Sequence, residues 1–324
     1  MNKALFLLFL LPVIFVGCGK KKEVVAEQIR YNQIALIIDD VLWNGEIGDS
    51  LRNKFASPVL GLPQEEPLFT INQYPVKLLE GYTTDSRNII VVKKTDRKSF
   101  EIRQDQFMKP QNVVYINGRN TADIIEMIEE NAPEIINRIR ATEIEQAQLH
   151  LTKALQSDKI IEQKFKVTMD IPPDYRLVFK RRRFIWFKKE IVSGSTSLVI
   201  YQIPAKLMGK PDVEKIVAMR DSIGKKYIHG TKPNADMMTE NSYTPYFTPV
   251  ALDGHRAFET RGTWQLNNDF MSGPFINYCI YDAKRQVYIV AEGFCYAPSR
   301  EKRELMFELE AILKTLRFPV KPKK

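Results

Sequence analysis

"GPFINYCIYDAKRQVYIVAEGFCY", residues 273–296, decides the fold class. Two runs rich in aromatic and β-branched residues flank a polar break at Asp282–Arg285. That is the composition of two long strands joined by a turn. Paired antiparallel, they set Cys279 opposite Val290. Cys295 then lies roughly five residues further along the strand, at about 3.3 Å per residue. A disulfide needs Cα atoms closer than about 7 Å, so two separate apolar thiols are expected.

The same hairpin poses a question about its faces. Successive strand residues point to opposite sides, so Tyr278 and Tyr281 are both core only if both faces are covered. Trp264, Phe270, Phe275, Phe294 and Tyr296 belong to the same aromatic set, around "LNNDFMSGP". One reading is a sheet sandwiched by helices. The other is an exposed aromatic row forming a binding groove, with Trp264 and Tyr278 as its candidates.

Upstream, "RAFETRGTWQL", "SLVIYQI" and "FIWFKKE" read as further strands. "FKVTMDI" alternates Phe165, Val167, Met169 and Ile171, the period of a half-buried strand. A helix is expected to open at Pro211 and run to 227. Another is expected within "SREKRELMFELEAILKTLRF", capped by Ser299, with Leu305, Leu309, Ile312, Leu313 and Leu316 as its buried stripe. "KRRRFIWFKK", 180–189, alternates cations with aromatics. It reads as a solvated edge strand or as an anion-binding stretch.

The first half carries "QIALIID", "LFTINQY", "NIIVVKK", "SFEIRQD" and "NVVYING" as strands, with a helix around "GDSLRNKFASPV". "GLPQEEP", 61–67, is a loop on its Pro and Gly content. From Asn120 the pattern turns helical, with Asn120 or Thr121 as the cap candidate. A break at Asn131–Ala132 is expected, with Pro133 as first residue of a second helix. Strand runs with few helices favour an α+β fold: mainly antiparallel sheets covered by helices, in two halves.

The chain has 324 residues, 44% hydrophobic and 27% charged, with a net charge of +9. It opens Met1-Asn2-Lys3, followed by an apolar run from Ala4 to Val16. A bilayer-spanning helix needs roughly 20 residues. This run is shorter, holds Pro12, and has the size of a signal-peptide core. "VGC", 16–18, resembles the lipobox of bacterial lipoproteins, although Phe15 stands where that pattern prefers Leu. The resemblance implies that Cys18 is acylated and becomes the first mature residue. Lys20, Lys21 and Lys22 follow, suited to anionic headgroups at about 1 kcal/mol each or simply to solvent. They are the opposite of the acidic surface-export signal of Bacteroidota lipoproteins, so the expected address is the periplasmic face of the outer membrane. That address argues against nucleic acid as the partner of the basic charge. The expected organisation is 1–17 signal peptide and 18–30 tether. An α+β domain with a helical connector follows over 31–156, a second α+β domain over 157–318, and a disordered tail over 319–324.

Three blocks, "LWNGEIGDSLRNKFASPVLGLPQEEPLF", "GTWQLNNDFMSGPFINY" and "EGFCYAPSREKRELMFELEAILKTLRF", resemble a Bacteroidota lipoprotein family built on a domain of unknown function. The resemblance spans nearly the whole mature chain. It implies an envelope lipoprotein and no assigned catalytic residue. The second half is similar in element order to PsbP-like domains, which implies an antiparallel sheet between helices.

Motifs that name an enzyme class are missing: no G-x-S-x-G, H-E-x-x-H, Walker loop or dinucleotide fingerprint. His150, His229 and His255 do not stand at ligand spacing. No cofactor or metal is expected. The best polar cluster is "IIDDVLWNGEIGD", with Asp39, Asp40, Trp43, Glu46, Asp49 and, just beyond, Arg52. A carboxylate pair beside a tryptophan suits a sugar. The plainer reading is a helix cap, two turn glycines, a packed Trp43 and an Arg52 ion pair. The expectation is therefore a lipid-anchored envelope protein with a non-enzymatic binding or structural role, whose partner is an envelope protein or glycan. The rival is a polysaccharide hydrolase using Asp39, Asp40, Glu46 or Asp49.

Overall fold

The computed structural model describes residues 30–151 and 159–319. The leader, Cys18, residues 18–29 of the tether and 320–324 of the tail lie outside the described residues. Two sheets organise the rest, and the α+β class holds.

The first sheet takes β1 (Gln33–Ile37), β2 (Thr70–Tyr74), β3 (Asn88–Lys94), β4 (Ser99–Gln104) and β5 (Asn112–Gly118) in the order β2-β1-β3-β5-β4. It is mixed. β1 runs parallel to β2 and β3, and β3 runs parallel to β5; β4 alone is antiparallel, against β5. The sheets are mainly antiparallel as expected, and this first sheet is the mixed one. Its strands show why: "IALI" and "NIIVV" are continuous buried runs, the pattern of strands covered on both faces. One face packs on α1 (Asp40–Trp43), α2 (Glu46–Phe55) and α3 (Thr121–Leu151) through Leu36, Val92, Phe55 and Ile128. The other buries Ile37, Ile89 and Val91 under Tyr74, Val76 and Leu79.

α3 is one continuous helix, with Pro133 inside it. The expected break at Asn131–Ala132 does not occur. An internal proline costs about 3 kcal/mol. Ile128, Ala132, Ile135 and Ile139 form one buried stripe across it, and each buried aliphatic contributes about 1.5–3 kcal/mol. Burial outweighs the lost hydrogen bond. Asn120 caps the helix as expected, its Oδ1 accepting the Asp123 N–H at 2.9 Å.

α4 (Lys159–Phe165) opens the second half. "FKVTMDI" is not a sheet strand. Phe165 ends α4, Lys166 takes a positive φ of 58°, and the segment then meets the chain just beyond the last helix, α7 (Arg303–Leu313), at a single bridge, Thr168 to Arg317. Its alternate residues are buried as expected, but against the helix layer. The second sheet takes β6 (Arg176–Arg181), β7 (Phe184–Ile191), β8 (Gly194–Pro204), β10 (Tyr246–Leu252), β11 (His255–Leu266), β12 (Ser272–Asp282) and β13 (Val287–Tyr296), with short β9 (Met237–Thr239) on β11. The order is β10-β11-β12-β13-β8-β7-β6, antiparallel throughout. Cys279 pairs with Val290. The two cysteines are free and buried, in cores on opposite faces.

Both faces of this sheet are covered. α7 (Arg303–Leu313) and α4 pack on one, through Leu309, Ile312 and Ile161 against Leu198, Ile276 and Ile289. α5 (Ala205–Met208) and α6 (Val213–Tyr227) pack on the other, through Met208 and Ile216 against Tyr201, Phe275 and Val290. Ser299 does not cap α7. The helix starts at Arg303, and its first N–H groups are taken by the first half: Glu66 accepts those of Lys302 and Arg303, each at 2.7 Å. The loop 61–67 is thus a clasp. Gly61, at φ +83°, lies so close to Arg261 that an added Cβ would sit 2.9 Å from its Cβ. Leu62 reaches the core beneath α7. The described residues from Tyr31 onward form one compact body.

Candidate functional site

The clasp, α3, α7 and the edge of the second sheet enclose a cleft of about 660 Å³. Pro58, Val59, Leu60 and Leu68 form one wall, Met306 and Phe307 the other, with Tyr246 at the edge strand. A second hollow of about 620 Å³ lies between α3 and the far end of β10, and Arg140 borders both. The seam between the two sheets is therefore grooved along α3. Volumes of this size lie in the range of small-ligand sites.

Beneath the cleft lies a charge network. Glu310 of α7 is buried and receives Arg140 of α3 at 2.5 Å, Lys314 at 2.8 Å and Arg261 of β11 at 3.0 Å. Arg261 also pairs with Glu259 at 2.6 Å, and the Tyr278 hydroxyl donates to Glu259 at 2.7 Å. Burial alone would raise the Glu310 pKa. Arg261, Arg140 and Lys314 outweigh it and hold the carboxyl well below its usual value. Burial likewise opposes ionisation of Glu259, and Arg261 reverses it, leaving its pKa lowered. Arg303, on the cleft wall, donates to Glu304 at 2.8 Å, the Pro67 carbonyl at 2.9 Å and Thr70 Oγ1 at 3.0 Å. These ions hold the seam shut while leaving an apolar hollow above it. Among the residues that line the hollow, no nucleophile is paired with a base.

The residues singled out by sequence fall in three places. Asp39, Asp40, Glu46 and Asp49 are exposed around α1 and α2. Asp40 accepts from Gln73 at 2.9 Å. Asp49 pairs with Arg52 at 2.7 Å, and Arg52 lies 4.3 Å above the Trp43 ring, which packs against the first core. The packed Trp43 and the Arg52 ion pair match the plainer reading, but Asp39 precedes α1 without a side-chain cap hydrogen bond and Gly48 lies inside α2; none of the four carboxylates lines the cleft. Trp264 and Tyr278 are buried on opposite faces of the second sheet, so they share no exposed groove. Trp264 donates to the Cys295 carbonyl at 3.2 Å. Tyr278 alone reaches the network under the cleft. Among the described residues, no three His, Cys, Asp or Glu side chains gather to hold a metal, and no helix is long and apolar enough to cross a membrane, which says nothing of strands.

Arg140, Arg261, Glu259, Glu310 and Arg303 were not singled out by sequence. A signal was present: Glu310 interrupts the apolar face of "LMFELEAIL", and Glu259 and Arg261 share a strand face with Ala257.

A model described as Domain of unknown function (DUF4837) matches residues 154–315, half of the chain. The chain belongs to that family. A second, Domain of unknown function (DUF8532), matches residues 29–152, so the two models meet at the end of α3. No curated protein sequence matches the chain. Among solved structures, it is similar to the Ran-binding protein Mog1p of Saccharomyces cerevisiae at 9% identity and a TM-score of 0.33, over 47% of this chain and 90% of that one. It is similar to LpqN, described as involved in cell envelope biogenesis of Mycobacterium tuberculosis, at 13% identity and a TM-score of 0.29, over 47% and 82%. A third likeness is to PA94 of Pseudomonas aeruginosa, 13% identical at a TM-score of 0.27, over 48% and 91%. These likenesses carry no functional assignment.

Proposed function

We propose that the chain is a lipid-anchored envelope protein, tethered by Cys18 at the periplasmic face of the outer membrane, that binds a ligand or partner in the seam cleft without catalysis. The observation that carries the binding role is the cleft: about 660 Å³, walled by Leu60 and Leu68 of one half and by Met306 and Phe307 of the other. Apolar walls over a floor in which Arg140, Arg261 and Glu310 are engaged with one another favour binding over chemistry. The anchor rests on the short apolar run that ends at Gly17-Cys18.

The test places a photo-crosslinking residue at Leu60, in the cleft, or at Val41, exposed on α1 beside the Asp cluster, in the full chain in its native envelope. The expected result is a discrete adduct from Leu60 that Phe307→Ala weakens, and none from Val41. Adducts from Val41 alone would move the binding face to the Asp39–Asp49 region. Glycan turnover that Asp40→Asn abolishes would overturn the non-enzymatic role.

A further inference from the structure

The "KRRR" turn finds a setting that its sequence does not reveal. Arg182 and Arg183 form the turn between β6 and β7 and are exposed. Register places this turn beside the end of β8: the Gln202 N–H donates to the Arg183 carbonyl. β8 runs directly into α5, which carries Lys206 and Leu207. The Ala205 N–H donates to the Gln286 carbonyl of the β12–β13 turn, and that turn carries Lys284. Lys210 follows α5. One end of the sheet therefore gathers Arg182, Arg183, Lys206, Lys210 and Lys284, all exposed, across about three strand spacings, roughly 15 Å.

Among the described residues, the side chains of Arg182, Arg183, Lys206 and Lys284 form no ion pair. Three acids nearby are already engaged. Asp282 holds Arg285 at 2.5 Å, Asp212 holds Lys215 at 2.8 Å, and Asp253 accepts the Phe318 N–H at 2.7 Å. Within this uncompensated positive end, Leu207 is 78% exposed on the helical turn of α5 while its neighbour Met208 is buried. An apolar side chain raised among free cations suits an anionic bilayer surface: the cations meet headgroups and the leucine reaches the acyl boundary.

From this arrangement we infer that this end of the second sheet docks on anionic lipid headgroups, independently of any acyl anchor and of the seam cleft. Nucleic acid or an acidic protein would use the same charges, but neither would require the projecting leucine.

The test is lysine acetylation footprinting of the full chain in nanodiscs of zwitterionic lipid, with or without phosphatidylglycerol. Lys206, Lys210 and Lys284 should acetylate more slowly only when phosphatidylglycerol is present, and high salt should restore their rates. Lys232, near the exposed Phe270 at the opposite end of the sheet, should not change. Arg182→Gln with Arg183→Gln removes two cations and leaves the reporting lysines in place. At about 1 kcal/mol per residue, the docked-to-undocked ratio should fall roughly 30-fold. Leu207→Ser should also lower it. The inference is overturned by equal rates in both nanodiscs, by equal protection of Lys232, or by an Arg182→Gln, Arg183→Gln variant that docks as before. Protection by soluble polyglutamate but not by phosphatidylglycerol would also overturn it, in favour of an acidic polymer.

Discussion

Replacing Glu310 with glutamine removes one negative charge from the middle of the seam and little volume. In the folded protein Arg140, Arg261 and Lys314 then face a neutral group. Removing one partner of a buried pair costs about 3–5 kcal/mol, because the other charge stays buried without compensation. Arg261 keeps Glu259 at 2.6 Å, and Lys314 is partly open to solvent. Both relieve the cost, so the lower end, about 3 kcal/mol, is expected. Against a total stability of about 5–15 kcal/mol, that is a large share. Urea melts should show a lower midpoint with an unchanged slope. Arg140→Met leaves Glu310 two partners and should cost less, about 1.5–3 kcal/mol. The double variant should lose less than the sum, since both single changes break one contact. The pH dependence has a definite sign. The folded Glu310 pKa is lowered, so its contribution is full above the ordinary carboxylate value and is lost as pH falls through the folded value. Glu310→Gln should therefore flatten the acid limb of the stability curve. A loss below about 1 kcal/mol, the worth of an exposed pair, would refute the claim that these ions hold the seam.

Glu66→Ala removes the acceptor of two N–H groups at the start of α7 and should cost about 1–2 kcal/mol, with faster hydrogen exchange at Lys302 and Arg303; unchanged exchange there would mean that the clasp does not cap the helix. Leu309, fully buried on the inner face of α7, should cost about 2–5 kcal/mol when changed to alanine, read from the same melts, whereas a loss near zero would contradict its place in the core. Burial pushes both thiols up to about 12, Cys279 with no opposing charge and Cys295 with Lys302 working against it. Neither should react with iodoacetamide at neutral pH until the chain unfolds, as mass spectrometry of the two peptides would show. Cys18 should carry acyl mass in membrane-extracted protein, and an unmodified Cys18 on a soluble product would remove the anchor from the account.

Where one stretch of sequence held all the information, the fold was legible. The 273–296 hairpin announces its register through its own turn, and Cys279 opposite Val290 follows from that alone. The parallel pairing of β1, β3 and β5 was less legible because it depends on where distant crossovers return, although the continuous apolar runs carried the hint. α3 shows a different limit. Pro133 argues for a break from local propensity, and only the buried stripe across it, Ile128 to Ile139, reverses the balance. Glu66 shows a third: a cap can come from a residue more than 200 positions away, as Glu66 does for Lys302 here, and no local pattern near Ser299 reveals it. The cleft was illegible for the same reason. Its walls come from "SPVL", "EEPL", "RIR", "PYF", "TRG" and "RELMFELE", six segments that meet only once the two sheets have packed. The Asp39–Asp49 cluster drew attention because its residues are close in sequence; in space each carboxylate faces solvent.

The seam cleft as a binding face is tested most directly by hydroxyl-radical footprinting of the full chain, first in its native envelope and then after purification. Tyr246 and Leu60, both exposed at the mouth of the cleft, should be modified less in the envelope than in the purified protein, while Val41 should be modified equally in both. Equal modification of Tyr246 and Leu60 in the two states, or protection at Val41 in their place, would contradict the account.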